Sequence, residues 1–205
     1  MKVILNGIDT EAFFPDNNVK KIPFRIVTTA SADVPLKGLD YLLEAFSKVI
    51  KIFPESTLQV IGSSKKGGHT SRKIKDLNIK DKVHFNKDLS FIEVRNLYCS
   101  SDIVVIPSLY EGFGFAIGEA MACRVPVITT LGGAIPEVIG NCGITVPPGN
   151  SEELEEAMLK LLPDENLKKS LAEKGFNRVI EHLQWKEVAK FMTECYEDEI
   201  KRMIN

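Results

Sequence analysis

Residues Asp102–Cys123 have the sequence DIVVIPSLYEGFGFAIGEAMAC, which is the most informative segment of the chain for its fold. It begins with an almost wholly apolar run, Asp102–Ile106, which is typical of a central strand in a parallel sheet because such a strand is buried on both faces. Gly112 and Gly114 follow, and an apolar segment of helical character then continues to about Cys123. The order of strand, glycine turn and helix predicts one βα unit of a parallel sheet.

Outward from this unit, strand-like and helical runs alternate along the chain, and this alternation is the signature of βαβ architecture. The stripe of apolar residues in Leu39–Phe53 has helical spacing, and Pro54 stops that helix. A helical region begins near Ser151, which we expect to be its N-cap. The other predicted strands are Phe24–Thr29, Thr57–Ile61, Val83–Phe85, Val125–Thr129 and Gly143–Val146. The prediction is an α/β fold: a doubly wound, Rossmann-like parallel sheet of about six strands with helices on both faces and a helical C-terminus.

Composition narrows the class of partner. The chain has 205 residues, a net charge of -2, 44% hydrophobic and 26% charged residues, a balance that argues against disorder. A near-neutral charge without like-charge runs argues against nucleic acid or a membrane surface as the partner and favours a small molecule. No stretch approaches the roughly 18 consecutive apolar residues that span a bilayer, and no signal-peptide layout is present, so we expect a cytoplasmic protein. The scattered cysteines and histidines predict neither a metal site nor a disulfide framework.

The glycine turn is a candidate phosphate site. A helix N-terminus after a strand supplies unpaired backbone N–H groups and the positive end of the helix dipole, and both attract phosphate. Gly112 and Gly114 would allow a diphosphate to approach the backbone closely. Glu119 lies among apolar neighbours, where a carboxylate is costly unless it is hydrogen-bonded, and the vicinal hydroxyls of a ribose are suitable donors. The alternative is that Glu111 and Glu119 simply lie on a solvated helix face.

Three stretches together resemble a known family. Glu111 and Glu119 form an E-x7-E pair inside EGFGFAIGEAMACRVPVI, which is followed by GGAIPEVIG. This resembles the donor-site signature of family 4 glycosyltransferases of the GT-B fold. Asn6–Pro15 resembles the segment that leads into their C-terminal domain, and Lys37–Phe46 resembles their first donor-side helix. The resemblance covers nearly the whole chain.

The resemblance implies a role for each matching residue. Glu119 would hold the nucleotide ribose, and Glu111 would reach the hydroxyls of the donor sugar. Lys37 would neutralise the diphosphate as the leaving group gains charge. The backbone around the turn would meet the sugar and the diphosphate, and the base would lie near Leu89. The predicted catalytic residues are thus Glu111 and Lys37, and the predicted donor-binding residues are Glu119, Gly112, Phe113, Gly114, Phe115, Ser31 and Leu89.

One departure from the family pattern concerns the diphosphate. The family commonly places an arginine shortly before the lysine, whereas no basic residue lies between Arg25 and Lys37 in this chain. Three alternatives stay open. Ser31 and backbone amides take part of that role, a basic side chain of the next loop reaches in, or donor binding is weaker. The basic candidates of that loop are Lys65, Lys66 and Arg72.

The resemblance also implies a domain plan. Residues 1–22 would be an interdomain segment, 23–184 the Rossmann-like donor-binding domain, and 185–205 a C-terminal helix that packs either toward a separate N-terminal acceptor domain or on this domain. The implied activity is metal-independent, cofactor-free hexosyl transfer with retention, from a nucleoside diphosphate sugar to an acceptor hydroxyl. Such a full enzyme is compatible with peripheral membrane association, and this chain alone would be weakly active or inactive. The alternatives are a non-catalytic sugar-nucleotide-binding module and a sugar-nucleotide epimerase, whose catalytic acids and histidine are not evident here.

Overall fold

The six strands form one parallel sheet. The computed structural model describes residues 3–204 without the side chain of Ile204, so Met1, Lys2 and Asn205, which belong to the predicted terminal segments, lie outside the described residues. The strands are β1 (Arg25–Thr29), β2 (Thr57–Ile61), β3 (Val83–Asn86), β4 (Ile103–Ile106), β5 (Val127–Thr130) and β6 (Ile144–Val146). Their order is β3-β2-β1-β4-β5-β6, and every pair is parallel. This is the doubly wound order of a Rossmann-like sheet, and the predicted fold class is confirmed.

Helices cover both faces of the sheet. The helices are α1 (Leu39–Ile52), α2 (His69–Asp76), α3 (Phe91–Cys99), α4 (Phe115–Ala122), α5 (Ile135–Ile139), α6 (Ser151–Leu161), α7 (Glu165–Arg178) and α8 (Trp185–Ile204). Consecutive strand residues point to opposite faces, so Ile103 and Val105 pack with α1, α2 and α6, whereas Val104 and Ile106 pack with α3, α4 and α5. Two hydrophobic cores therefore enclose β4, which accounts for its unbroken apolar sequence.

The structure shows where two of the predicted helices begin and corrects the predicted cap of one of them. Asn150, not Ser151, caps α6, because its side-chain oxygen accepts hydrogen bonds from the backbone N–H groups of Glu152 and Glu153 at 3.1 Å. An asparagine at this position leaves Ser151 as the first residue of the helix. The helix after the glycine turn begins at Phe115, because Gly114 has the left-handed conformation that ends the turn, with φ of 98°.

The N-terminal segment is anchored on the domain. The backbone N–H of Ile8 donates to Leu183 O at 2.6 Å, and the N–H of Trp185 donates to Ile8 O at 3.1 Å. The side chains of Ile8 and Phe13 are buried in the core that contains α4. Residues just before α8 and residues 7–13 therefore form one packed unit, while the division at 22 and 185 stays a prediction. None of the helices within residues 3–204 is long and apolar enough to cross a membrane.

Candidate donor site

A cavity of about 500 Å³ lies at the carboxyl ends of β1 and β4. The strand order reverses between these two strands, and such a switch point is where doubly wound sheets bind ligands, because the flanking loops diverge there. The lining residues are Asn6, Thr29, Lys37, Glu111, Gly112, Phe113, Gly114, Phe115, Ala116 and Glu119. The sheet thus brings together seven of the nine predicted site residues.

Lys37 and Glu111 form an ion pair across this cavity. Lys37 Nζ lies 2.8 Å from Glu111 Oε1, and Ser108 Oγ donates to the same oxygen at 2.7 Å. Lys37 ends a short 3₁₀ turn, and Gly38 beside it has φ of 64° and packs so closely that an added Cβ would lie 1.9 Å from Pro107 O. The loop after β1 therefore reaches the loop after β4 at Gly38, and this close approach places the lysine beside the carboxylate.

The backbone of Glu111 is fixed by the loop after β5. Its N–H donates to Gly132 O at 3.4 Å, and its carbonyl accepts from the N–H of Ala134 at 2.9 Å. A Cβ on Gly132 would lie 2.1 Å from Leu109 O, and one on Gly133, which has φ of 69°, would lie 2.2 Å from Glu111 O. The two glycines are needed for this close approach, so the GGAIPEVIG segment holds Glu111 through main-chain contacts.

Glu119 lies in the second turn of α4 and is mostly buried. Burial raises the pKa of its carboxyl to about 7, and a hydrogen bond from Tyr98 opposes that rise. Tyr98 Oη lies 3.4 Å from Glu119 Oε2 and 3.0 Å from Thr29 Oγ1. Three elements, β1, α3 and α4, therefore meet at the Tyr98 hydroxyl, which contacts the Glu119 carboxylate beside the cavity.

The N-terminus of α4 supplies donors to the same cavity. Within residues 3–204, the backbone N–H groups of Gly112, Phe113, Gly114 and Phe115 donate to no protein acceptor. A Cβ at Gly112 would meet nothing within 4 Å, so this position opens into free space. The arrangement offers unpaired donors, the positive end of a helix dipole and one lysine to an anionic ligand.

Two predicted residues lie apart from the cavity. Ser31, an exposed residue after β1, and Leu89, between β3 and α3, are not among its lining residues. The basic side chains Lys65, Lys66 and Arg72 line a different cavity of about 700 Å³ beside α1 and α2. Lys37 is the one basic residue that lines the smaller cavity in the described part of the chain.

Sequence reasoning missed the residues that hold the two glutamates. Ser108 precedes Glu111 by three residues, a spacing at which a serine hydroxyl reaches a nearby side chain, so a local signal was present. Thr29 and Tyr98 offered no such signal, because Tyr98 contacts Glu119, and Thr29 contacts Tyr98, only through the packing of distant segments. The role of Gly132 and Gly133 likewise depends on a contact between two loops.

Comparison with known proteins identifies the family. Residues 10–178 match the family described as Glycosyl transferases group 1. The chain belongs to this glycosyltransferase family. The resemblance to GT-B glycosyltransferases predicted from the sequence is therefore confirmed.

Relatives of this glycosyltransferase domain are about twice as long. The chain is 35% identical to the MMP alpha-(1->4)-mannosyltransferase of Mycolicibacterium hassiacum, over 99% of this chain and 49% of that protein. It superposes on the sucrose-phosphate synthase of Thermosynechococcus elongatus with a TM-score of 0.85 and 25% identity, covering 98% of this chain and 53% of that one. A structure of the C-terminal domain of a glycosyl transferase group 1 family protein from Francisella tularensis gives a TM-score of 0.76 and 27% identity, covering 87% of this chain and 99% of that one. The chain thus spans about half the length of the curated relatives that it matches.

Proposed function

We propose that this chain is the donor-binding half of a hexosyltransferase that transfers a hexosyl group from a nucleoside diphosphate sugar to an acceptor hydroxyl, with retention and without a metal ion. The observation that carries the proposal is the placement of two carboxylates, one lysine and the free N–H groups of α4 around one cavity at the switch point of the sheet. This combination suits a sugar nucleotide, because such a ligand has hydroxyl donors on its sugar and on its ribose and an anionic diphosphate between them.

The two glutamates would bind the ribose end and the sugar end of the donor. Ionised carboxylates accept charge-assisted hydrogen bonds from hydroxyls. Glu119, at the buried side of the cavity, would accept from the ribose hydroxyls, and Glu111 would accept from the hydroxyls of the transferred sugar. Because Glu111 already accepts from Ser108 and Lys37, it is oriented before the donor arrives.

Lys37 and the N-terminus of α4 would serve the diphosphate. In the transfer, the bond from the sugar anomeric carbon to the β-phosphate oxygen breaks and its electrons stay on the diphosphate. The acceptor oxygen bonds to the same carbon, and its proton passes to the departing diphosphate oxygen. Fixed donors and a cation at the diphosphate stabilise the growing negative charge, and this is the electrostatic contribution we assign to this half. The Lys37 ammonium group, which contacts Glu111 in the structure, would move to a position between that carboxylate and the phosphate.

The other half of the enzyme would carry the acceptor. The length of the relatives and the Francisella domain, which is described as a C-terminal domain, support this division. Retention and metal independence rest on the family resemblance of the motif. The mannosyltransferase among the relatives supports a hexosyl donor.

The test is a calorimetric titration of the chain with UDP-, GDP- and ADP-linked sugars. We expect one nucleotide class to bind, and Glu119→Ala to weaken binding about 10- to 100-fold, which corresponds to the loss of about 1.5–3 kcal/mol from hydrogen bonds to a charged group. Glu156→Ala, at an exposed glutamate of α6, is the matched control and should bind like the wild type. Failure of every sugar nucleotide to bind would overturn the proposal.

The same titration can measure separately how the sugar end and the nucleotide end of the donor contribute to binding. Glu111→Ala should weaken the sugar nucleotide about 10-fold while leaving the parent nucleoside diphosphate unchanged, because that compound lacks the sugar. Lys37→Ala should weaken both ligands. If the chain alone transferred sugar as fast as a two-domain transferase, the assignment of the acceptor site to a second half would be wrong.

A further inference from the structure

We propose that Tyr98 is the positioning residue of the donor site: its buried hydroxyl, itself held by Thr29, orients the Glu119 carboxylate toward the cavity. The inference rests on the proposed function for the meaning of Glu119, and it adds a residue that does not itself line the cavity. No motif in the sequence points to this tyrosine.

The hydroxyl of Tyr98 has partners on two other elements. The side chain is fully buried in α3, and its ring packs beside Phe13, with 6.3 Å between the ring centroids. A buried phenol needs a hydrogen-bond partner, and here the partners are Thr29 at the end of β1 and Glu119 in α4. Tyr98 thus joins the strand and the helix that border the cavity.

The direction of the two hydrogen bonds follows from chemistry. An ionised carboxylate only accepts, so the Tyr98 hydroxyl must donate to Glu119 when Glu119 is charged. The phenol oxygen is then free to accept from the hydroxyl of Thr29. Burial raises the pKa of Tyr98 well above its usual value, which keeps the phenol proton in place as a donor. The distance of 3.4 Å between Tyr98 Oη and Glu119 Oε2 is at the long end for a hydrogen bond between two oxygens.

The hydroxyl has an electrostatic consequence that a purely space-filling ring would not have. Burial raises the pKa of Glu119 to about 7, and the hydrogen bond from Tyr98 lowers it. Other titratable groups near Glu119 include Cys123, which directly follows α4, and Lys37 and Glu111, which line the same cavity. Loss of the phenol hydroxyl therefore leaves Glu119 protonated to a higher pH, and a protonated carboxyl is a weaker acceptor for a ribose.

The experiment uses Tyr98→Phe, which keeps the ring and removes the hydroxyl. Tyr196→Phe, at an exposed tyrosine of α8, is the matched control. The sugar nucleotide that binds the wild type in the panel above is titrated between about pH 6 and about pH 9, a range that brackets the carboxyl titration. We expect the midpoint of binding to move to higher pH in Tyr98→Phe, with binding weaker by about 5-fold near pH 7 and nearly restored near pH 9. The control should follow the wild type at every pH.

Two further measurements make the result decisive. The side-chain carboxyl carbon of Glu119, assigned with Glu119→Gln, is titrated by NMR without ligand, and its pKa should rise in Tyr98→Phe. In a double-mutant cycle, Tyr98→Phe should have little effect on binding in the Glu119→Gln background, because the group it acts through no longer titrates. An unchanged Glu119 pKa in Tyr98→Phe would overturn the inference. If no sugar nucleotide bound but that pKa rose, the role of Tyr98 in holding Glu119 would stand and the proposed function would fail.

Discussion

The carboxyl group of Glu119 is held in the folded chain at a cost in stability. It is mostly buried, and its pKa of about 7 exceeds the ordinary value of 4.5. Below the ordinary value both folded and unfolded chains are protonated, and no penalty exists. As the pH rises through this interval the unfolded chain ionises first, so folding loses free energy until the folded carboxyl also ionises. The carboxylate proposed to bind the ribose thus weakens the fold that carries it.

Glu119→Gln should therefore stabilise the chain in a pH-dependent way. We expect the free energy of unfolding to rise by about 3 kcal/mol near pH 8, because the amide carries no charge to desolvate, and to change little near pH 4. Urea unfolding at the two pH values measures both. Glu156→Gln, at an exposed position of α6, is the control and should change neither. An equal gain at both pH values would show that the cost of Glu119 is not one of ionisation.

Among the secondary-structure elements, the turn between β4 and α4 contains two glycines with different roles. Gly114 has φ of 98°, and an added Cβ would lie 3.1 Å from Ile117 Cδ1, so the fold itself needs a glycine there. A Cβ on Gly112 would meet no protein atom within 4 Å and would project into free space beside the cavity. Packing therefore does not require a glycine at position 112, and on the proposed function its open space receives the ligand.

The matched substitutions Gly112→Ala and Gly114→Ala distinguish a role in ligand binding from a role in folding. Gly114→Ala should lower the free energy of unfolding by about 1–3 kcal/mol through backbone strain. Gly112→Ala should leave that stability within about 0.5 kcal/mol of the wild type. Gly112→Ala should nevertheless weaken binding of the sugar nucleotide, because the methyl group occupies the approach to the backbone. Thermal unfolding and calorimetric titration of both variants measure these effects. If Gly112→Ala bound the sugar nucleotide as tightly as the wild type, the proposal that a ligand occupies the space beside Gly112 would be wrong.

The elements themselves could be predicted because their signals are local. The unbroken apolar run of Ile103–Ile106 and the apolar stripe of α1 each follow from burial of that segment, so the order of strands and helices was readable from the sequence. The helix cap was misassigned by one residue, since Asn150 and Ser151 are both good caps and only backbone geometry chooses between them. Tyr98 could not be assigned a role, because its hydrogen-bond partners lie 69 and 21 residues away in sequence and contact it only in the folded chain.

At the scale of the whole molecule, α8 differs from the other helices. Both faces of the sheet are already covered, and the two cores contain the side chains of β1 and β4 without help from most of α8. The stripe along α8 has exposed apolar side chains, with Tyr196 at 64% and Ile200 at 55% exposure. The sequence predicted a helix here but left its partner open between this domain and a second one. In the chain described here, the distal part of the stripe packs on neither core.

This exposure predicts that the stripe contributes little to the stability of the chain. Ile200→Ala should change the free energy of unfolding by less than about 0.5 kcal/mol, because more than half of this residue is already exposed to water. The same substitution at Ile106, which is 1% exposed, should cost about 2–5 kcal/mol through lost burial and the cavity left behind. Urea unfolding of the two variants at several protein concentrations makes the comparison. A cost for Ile200→Ala similar to that of Ile106→Ala would mean that another surface covers the stripe in solution, and a dependence of that cost on concentration would identify the surface as a second copy of the chain.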